Sequence, residues 1–241
     1  MALDAVHPQR DTHGRPLAVT ADSRPAPHAR ARFPMPEGLY ARGGKRVLDI
    51  IGALALLIVF LPMILMIAAL MMTQRGPMLF GHQRVGRQGR IFNCLKFRTM
   101  VVDADERLQA LLARDPQARA EWHAHRKLEN DPRITATGAL LRRTSLDELP
   151  QLINVLRGDM SLVGPRPVTA VELHRYYGDA SASYLALRPG LTGSWQVSGR
   201  NDISYPARVA MDDRYARGFT LIGDLGLLAR TVRVVLCATG K

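Results

Sequence analysis

Residues 142–152, Arg-Arg-Thr-Ser-Leu-Asp-Glu-Leu-Pro-Gln-Leu, form the densest polar cluster in the chain. Two carboxylates, Asp147 and Glu148, stand side by side behind two arginines, Arg142 and Arg143. Adjacent acids can bind Mg²⁺, or one can attack an activated phosphorus while the other assists. Upstream arginines and a helix N-terminus would neutralise phosphate oxygens. Further on, Arg166 sits between Pro165 and Pro167, a stiff backbone from which to aim a guanidinium at a phosphate. A purely structural account competes. Ser145 and Glu148 have capping-box spacing, and Asp147 is itself a good helix cap, which Pro150 favours because proline is tolerated only in a first turn. These residues alone leave both readings open.

The elements that would hold such a site begin with an uncharged apolar run over residues 50–72, interrupted only by Pro62. As a helix it would measure about 34 Å, enough for a hydrocarbon core of about 30 Å. Pro62 lacks an N–H and should kink it. Arg42, Lys45 and Arg46 precede the run, and Arg75, Arg84, Arg87 and Arg90 follow it. Short basic flanks mark the cytoplasmic side of a membrane, and here both flanks are basic. A helix–break–helix hairpin keeps both inside; a kinked single pass does not. Both stay open on this evidence. The run starts too late and is too long for a cleaved secretory signal.

The formal charge is +12, spread along the chain. It suits lipid headgroups or nucleotide phosphates, and no recognisable module argues for nucleic acid. Cys94 and Cys237 have no metal-ligand spacing and read as two reduced thiols. Residues 1–40, rich in Pro, Arg, Ala and His, read as a disordered basic cytoplasmic tail whose His7, His13 and His28 are solvated.

Past Gly76-Pro77, residues 78–85 and 90–100 read as a hairpin around Gly86–Gly89. Residues 102–128 read as helix divided at Pro116, with Asp115 as a cap and Trp122 in a core. Short helices follow over 138–143, 145–156 and 168–177, the second stopped by Gly158. Residues 188–200 read as loop, 207–215 as helix. A last helix, 221–237, carries Arg230 and Arg233 among leucines and valines; it suits a membrane interface or a core equally.

Several blocks together resemble the bacterial sugar transferase family, the monotopic phosphoglycosyl transferases. They are Lys45-Arg46-Val47-Leu48-Asp49, Gly76-Pro77, Arg84-Val85-Gly86, Lys96-Phe97-Arg98-Thr99-Met100 and Asp131-Pro132-Arg133-Ile134-Thr135. The run from Arg143 to Leu152 follows, then Asp159 to Pro167, Arg188 to Gly193, Trp195-Gln196-Val197 and Gly199-Arg200. The likeness runs from about residue 45 to the C-terminus; residues 1–40 lie outside it.

The resemblance implies an α+β, mainly helical monotopic membrane protein. Residues 41–74 would form a re-entrant helix broken at Pro62, and residues 75–241 a cytoplasmic catalytic domain with interfacial amphipathic helices and a small β-hairpin. It implies transfer of a sugar-1-phosphate from a UDP-sugar to undecaprenyl phosphate, releasing UMP and starting exopolysaccharide or other glycan assembly. The place is the cytoplasmic face of the bacterial inner membrane, among its lipids. Asp147 would form a covalent phosphosugar adduct, Glu148 would assist or help place Mg²⁺, and Arg166 with Pro165 and Pro167 would bind the nucleotide sugar. Lys96, Arg98 and Arg143 would contact phosphates. A hexose, glucose or galactose, fits the likeness to exopolysaccharide-initiating members; an N-acetylated sugar stays open, as does a homodimer. The rival from another class is a membrane-tethered binding protein without turnover, which leaves the co-occurrence of these blocks unexplained. A third reading, a single-pass enzyme with an external domain, would put the chain's two ends on opposite sides of the membrane.

Overall fold

The computed structural model describes residues 33–74, 76–125, 128–199 and 202–236. Most of the expected tail therefore lies outside the described residues. Its last part is docked: Phe33 and Tyr40 pack beside Leu187, Ala216 and Phe219. Cys237 and Arg200 also fall outside the description, while Cys94 is a buried free thiol.

Helix α1 spans Lys45–Met72, preceded by a π-helical turn over Tyr40–Gly44. Pro62 lies inside it, and helical structure continues on both sides. A stripe of α1 faces the rest of the protein from end to end. Asp49, Ala53, Ile67 and Met71 are buried, and Leu56, Leu57, Met63 and Ile64 join the same cores. These positions recur every three to four residues, the period of one helix face. The opposite face leaves Ile51, Ile58, Val59, Leu65, Met66 and Met72 exposed. Such a continuous apolar face suits lipid rather than water.

Polar contacts fix the start of α1. The Arg46 guanidinium donates to the carbonyls of Val155 and Leu156, at 2.6 and 2.9 Å. Asp49 accepts from Ser161 Oγ at 2.8 Å and Leu162 N at 2.9 Å. Lys45 pairs at 2.6 Å with the fully buried Asp224, which also accepts from the Tyr40 and Tyr215 hydroxyls.

The expected hairpin is present as β1 (Leu79–Val85) and β2 (Ile91–Phe97), antiparallel, with Phe80 opposite Lys96 and Arg84 opposite Phe92. Helices α2 (Ala104–Arg114) and α3 (Pro116–His125) flank Asp115, whose Oδ1 accepts from the backbone N–H groups of Gln117 and Ala118. Trp122 packs against Leu108, Ala118 and Leu128. Then come α4 (Ala136–Thr144) and α5 (Gln151–Arg157), which Gly158 ends in the left-handed conformation.

Strand β3 (Ser161–Val163) pairs in parallel with β4 (Gly190–Thr192), in a stretch the sequence suggests to be loop. Between them lie α6 (Ala170–Glu172), its π-helical continuation to Tyr177, and α7 (Ser181–Ala186). Helices α8 (Tyr205–Gly218) and α9 (Leu221–Leu236) complete the fold. On α9, Asp224 faces inward while Leu221, Ile222, Leu225 and Val232 are exposed.

Asp224→Ala would strand the Lys45 ammonium among the Tyr215 and Phe219 rings, which lie under 6 Å away. Removing one partner of a buried pair costs about 3–5 kcal/mol. The expected outcome is a clearly lower thermal unfolding midpoint in detergent micelles, with Asp224→Asn intermediate.

Candidate active site

The acidic pair sits on a turn, not at a helix cap. Helix α4 starts at Thr135, whose hydroxyl accepts from Gly138 N at 2.9 Å, and ends at Ser145 in the left-handed region, φ 58°. Leu146–Glu148 form a single 3-10 turn before α5. The Ser145–Glu148 capping box is absent, and neither Ser145 nor Asp147 caps α5. Packing explains why: Leu146 and Leu149 turn toward Ile67, Met71, Phe97 and Leu141. The chain therefore reverses at Ser145, and the dyad rests within one turn of residues packed on α1.

Lys96, near the end of β2, gathers both carboxylates. Its Nζ lies 2.7 Å from Glu148 Oε1 and 3.6 Å from Asp147 Oδ2. Asp147 is only 7% exposed. Burial pushes its carboxyl above the usual carboxylate range; Lys96 opposes the shift, the Glu148 charge adds to it, and Arg142 opposes it again. Arg142 is held by a 2.8 Å hydrogen bond from its Nε to Thr99 Oγ1.

Beside the dyad lies a small pocket, partly open to solvent. Arg84, Lys96 and Arg166 line it with Glu148, Gln151 and Gln196. Arg166 is brought there by glycines. Gly164 N donates to Thr192 O at 2.9 Å, and Gly190 N to Pro165 O at 2.7 Å. A Cβ on Gly190 would lie 2.1 Å from Gly164 N, and one on Gly193 would lie 2.3 Å from Gly164 O. Only bare backbone lets these segments touch. Pro165 is buried behind the site, Pro167 lines it, and the exposed Arg166 holds its guanidinium 5.8 Å from the Trp195 ring centre.

Of the residues singled out in the sequence, Lys96, Glu148, Arg166 and Pro167 meet in one pocket, with Asp147 joined through Lys96. Two lie elsewhere. The Arg98 guanidinium packs over Gly76 at the exit from α1. Arg143 is exposed on the last turn of α4, and the charge that reaches Asp147 is that of Arg142. Arg84, Gln151 and Gln196 were not anticipated. The signal for Arg84 is the strand period: in the hairpin's register, residues 80, 82, 84, 92, 94 and 96 share one face.

The donor set can be tested against a metal. Two carboxylates converge on one point that already attracts a cation, and among the described residues no group of three or more His, Cys, Asp or Glu side chains is arranged to hold an ion. That fits Mg²⁺, which takes one or two carboxylates plus substrate phosphates, better than a metal needing a closed protein cage.

Residues 40–238 match the family model for bacterial sugar transferases. Over 196 residues the chain is 52% identical to an undecaprenyl-phosphate galactose phosphotransferase of Salmonella typhimurium, covering 81% of this chain and 41% of that protein. It is 49% identical over 198 residues to the exopolysaccharide production protein ExoY of Rhizobium meliloti, 82% of this chain and 87% of the relative. A UDP-glucose:undecaprenyl-phosphate glucose-1-phosphate transferase of Caulobacter vibrioides is 40% identical over 201 residues, 80% of this chain and 69% of the relative. The chain thus spans about two fifths of some long relatives and most of a short one. With the family model covering most of its length, the chain belongs to the bacterial sugar transferase family.

Proposed function

We propose that this protein transfers a hexose-1-phosphate from a UDP-sugar to undecaprenyl phosphate at the cytoplasmic face of the inner membrane. The observation that carries the reading is the convergence of Asp147 and Glu148 on Lys96, beside a pocket lined by Arg84 and Arg166, one turn from the lipid-facing helix. The relatives' names add the acceptor, undecaprenyl phosphate, and two hexose donors.

The chemistry follows from the parts. Asp147 Oδ attacks the β-phosphorus, a P–O bond to Asp147 forms, and the bond from that phosphorus to the bridging oxygen breaks. UMP departs with the electron pair. A phosphate oxygen of the lipid then attacks the same phosphorus, and the carboxylate leaves unchanged. Lys96 and the arginines offset the charge of two anionic reactants. Lys96 also opposes the upward shift that burial and the Glu148 charge impose on the Asp147 carboxyl. Glu148 holds Lys96 in place and stands ready to orient the acceptor. When bound, Mg²⁺ would neutralise the donor's diphosphate; Asp147 and Glu148 would hold it. The covalent step removes any need for both substrates to be present at once.

A helix that enters and leaves on one side is part of this reading. Its support is that residues near both ends of α1, Asp49 and Ala53 at one and Ile67 and Met71 at the other, pack on the same body. A straight pass would carry one end away from that body across the bilayer. The exposed apolar residues of α9 suit the interface beside it.

Purified protein with UDP-galactose or UDP-glucose, undecaprenyl phosphate and Mg²⁺ should release UMP. Asp147→Asn should lower the rate by about three orders of magnitude or more and abolish the phosphosugar adduct seen by mass spectrometry of trapped wild type. Background release by both proteins across a donor panel would refute the assignment. Because Asp147 must be ionised to attack and its burial raises its pKa, activity should fall on acidification at a pH clearly above the ordinary Asp value of about 3.9. Initial rates measured from pH 4 to 8 test this. Chelation with EDTA should stop turnover, and added Mg²⁺ should restore it.

A further inference from the structure

Arg84 is an unusual pocket residue because its own place is so firmly set. Its Nη1 lies 3.0 Å from Glu172 Oε2. The same oxygen accepts from Thr169 N at 2.7 Å and from Thr169 Oγ1 at 2.9 Å, inside the capping box that starts α6. Glu172 is thereby locked, and it locks one edge of the Arg84 guanidinium. The guanidinium reaches the pocket wall it shares with Arg166 and Lys96.

Lys96 faces both Asp147 and Glu148, and Arg84 pairs with Glu172. Arg166 has no ion pair among the described residues and leans on the Trp195 ring. Burial lowers the Arg84 pKa; Glu172 opposes this, and the nearby Arg166 charge adds to it. Two guanidiniums that line one partly open pocket favour an anion between them. A guanidinium fork matches phosphate oxygens in particular.

We propose that Arg84 and Arg166 together clamp one phosphate group of a substrate, with Glu172 as the positioning residue that presents Arg84. The inference rests on the transferase reading, since it supplies two candidate phosphates: that of the nucleotide and that of the lipid acceptor.

The test uses full-length protein in detergent micelles and isothermal titration calorimetry with three probes, UMP, uridine and undecaprenyl phosphate. Arg84→Ala should weaken UMP or undecaprenyl phosphate by about tenfold or more, as loss of a charge-assisted bond implies. Uridine, lacking phosphate, should be unaffected. Loss confined to UMP assigns the clamp to the donor; loss confined to the lipid assigns it to the acceptor. Glu172→Gln can keep its cap contacts but not its charge, and should reduce the same phosphate affinity by a few fold. A residue that merely capped α6 would change thermal stability and leave the UMP-to-uridine affinity ratio unmoved. Equal phosphate binding by wild type and Arg84→Ala overturns this inference alone. Failure of wild type to bind either phosphate ligand overturns it together with the transferase reading.

Discussion

Two carboxylates on adjacent residues, one of them nearly buried, are costly to hold side by side without a cation close by. Lys96 supplies it, and much of the architecture can be understood as the means of bringing that ammonium to Asp147 and Glu148. The lysine comes from β2, the acids from the turn after α4, and fifty residues separate them in the chain. β2 is fixed by its pairing with β1 and by Asn154, whose side chain accepts from Leu95 N at 2.9 Å and donates to Asn93 O at 2.9 Å. Asn154 belongs to α5, the helix that the acidic turn leads into. One buried amide thus ties the strand bearing the lysine to the helix behind the acids.

The same body must also stay registered with the long apolar helix α1. Arg46 reaches the last carbonyls of α5, and Asp49 binds the backbone at β3. At the other end Ile67 and Met71 meet Leu146 and Leu149 on either side of the dyad. The helix therefore touches the acidic turn directly at one end and, through α5, indirectly at the other. On the proposed reading, depth in the membrane and geometry at Asp147 become a single variable, which is what a reaction between a soluble anion and a lipid anion requires.

Much of this was legible in the sequence, for identifiable reasons. The hairpin announced itself through Gly86–Gly89, the α2–α3 division through Asp115-Pro116, and the end of α5 through Gly158. Each is a local signal that local structure obeyed. What failed was local logic overruled by packing. Ser145 and Glu148 have ideal capping spacing, yet Ser145 adopts φ 58° because Leu146 and Leu149 must face α1. Strand β4 was invisible because three residues among glycines carry no period; its partner β3 lies 27 residues upstream, and parallel pairing leaves no turn signature. Lys96 and Arg98 looked equivalent in the same motif. They part because Lys96 still lies within the hairpin, whereas Arg98 follows its last paired residue and turns back over Gly76.

Arg166 shows how far a motif can be read and where reading stops. Two flanking prolines predict a stiff backbone, which is correct, but stiffness alone does not say where a side chain points. Direction comes from Gly164, Gly190 and Gly193, whose missing Cβ atoms let two backbones approach closely enough for Pro165 O to accept from Gly190 N. The prolines hold the arginine still and the glycines bring it to the pocket. Neither set suffices without the other: a rigid arm on a displaced strand would aim at nothing, and a well-placed flexible one would lose entropy on each binding event. The two motifs, distant in sequence, are thus halves of one device for holding a guanidinium at the pocket.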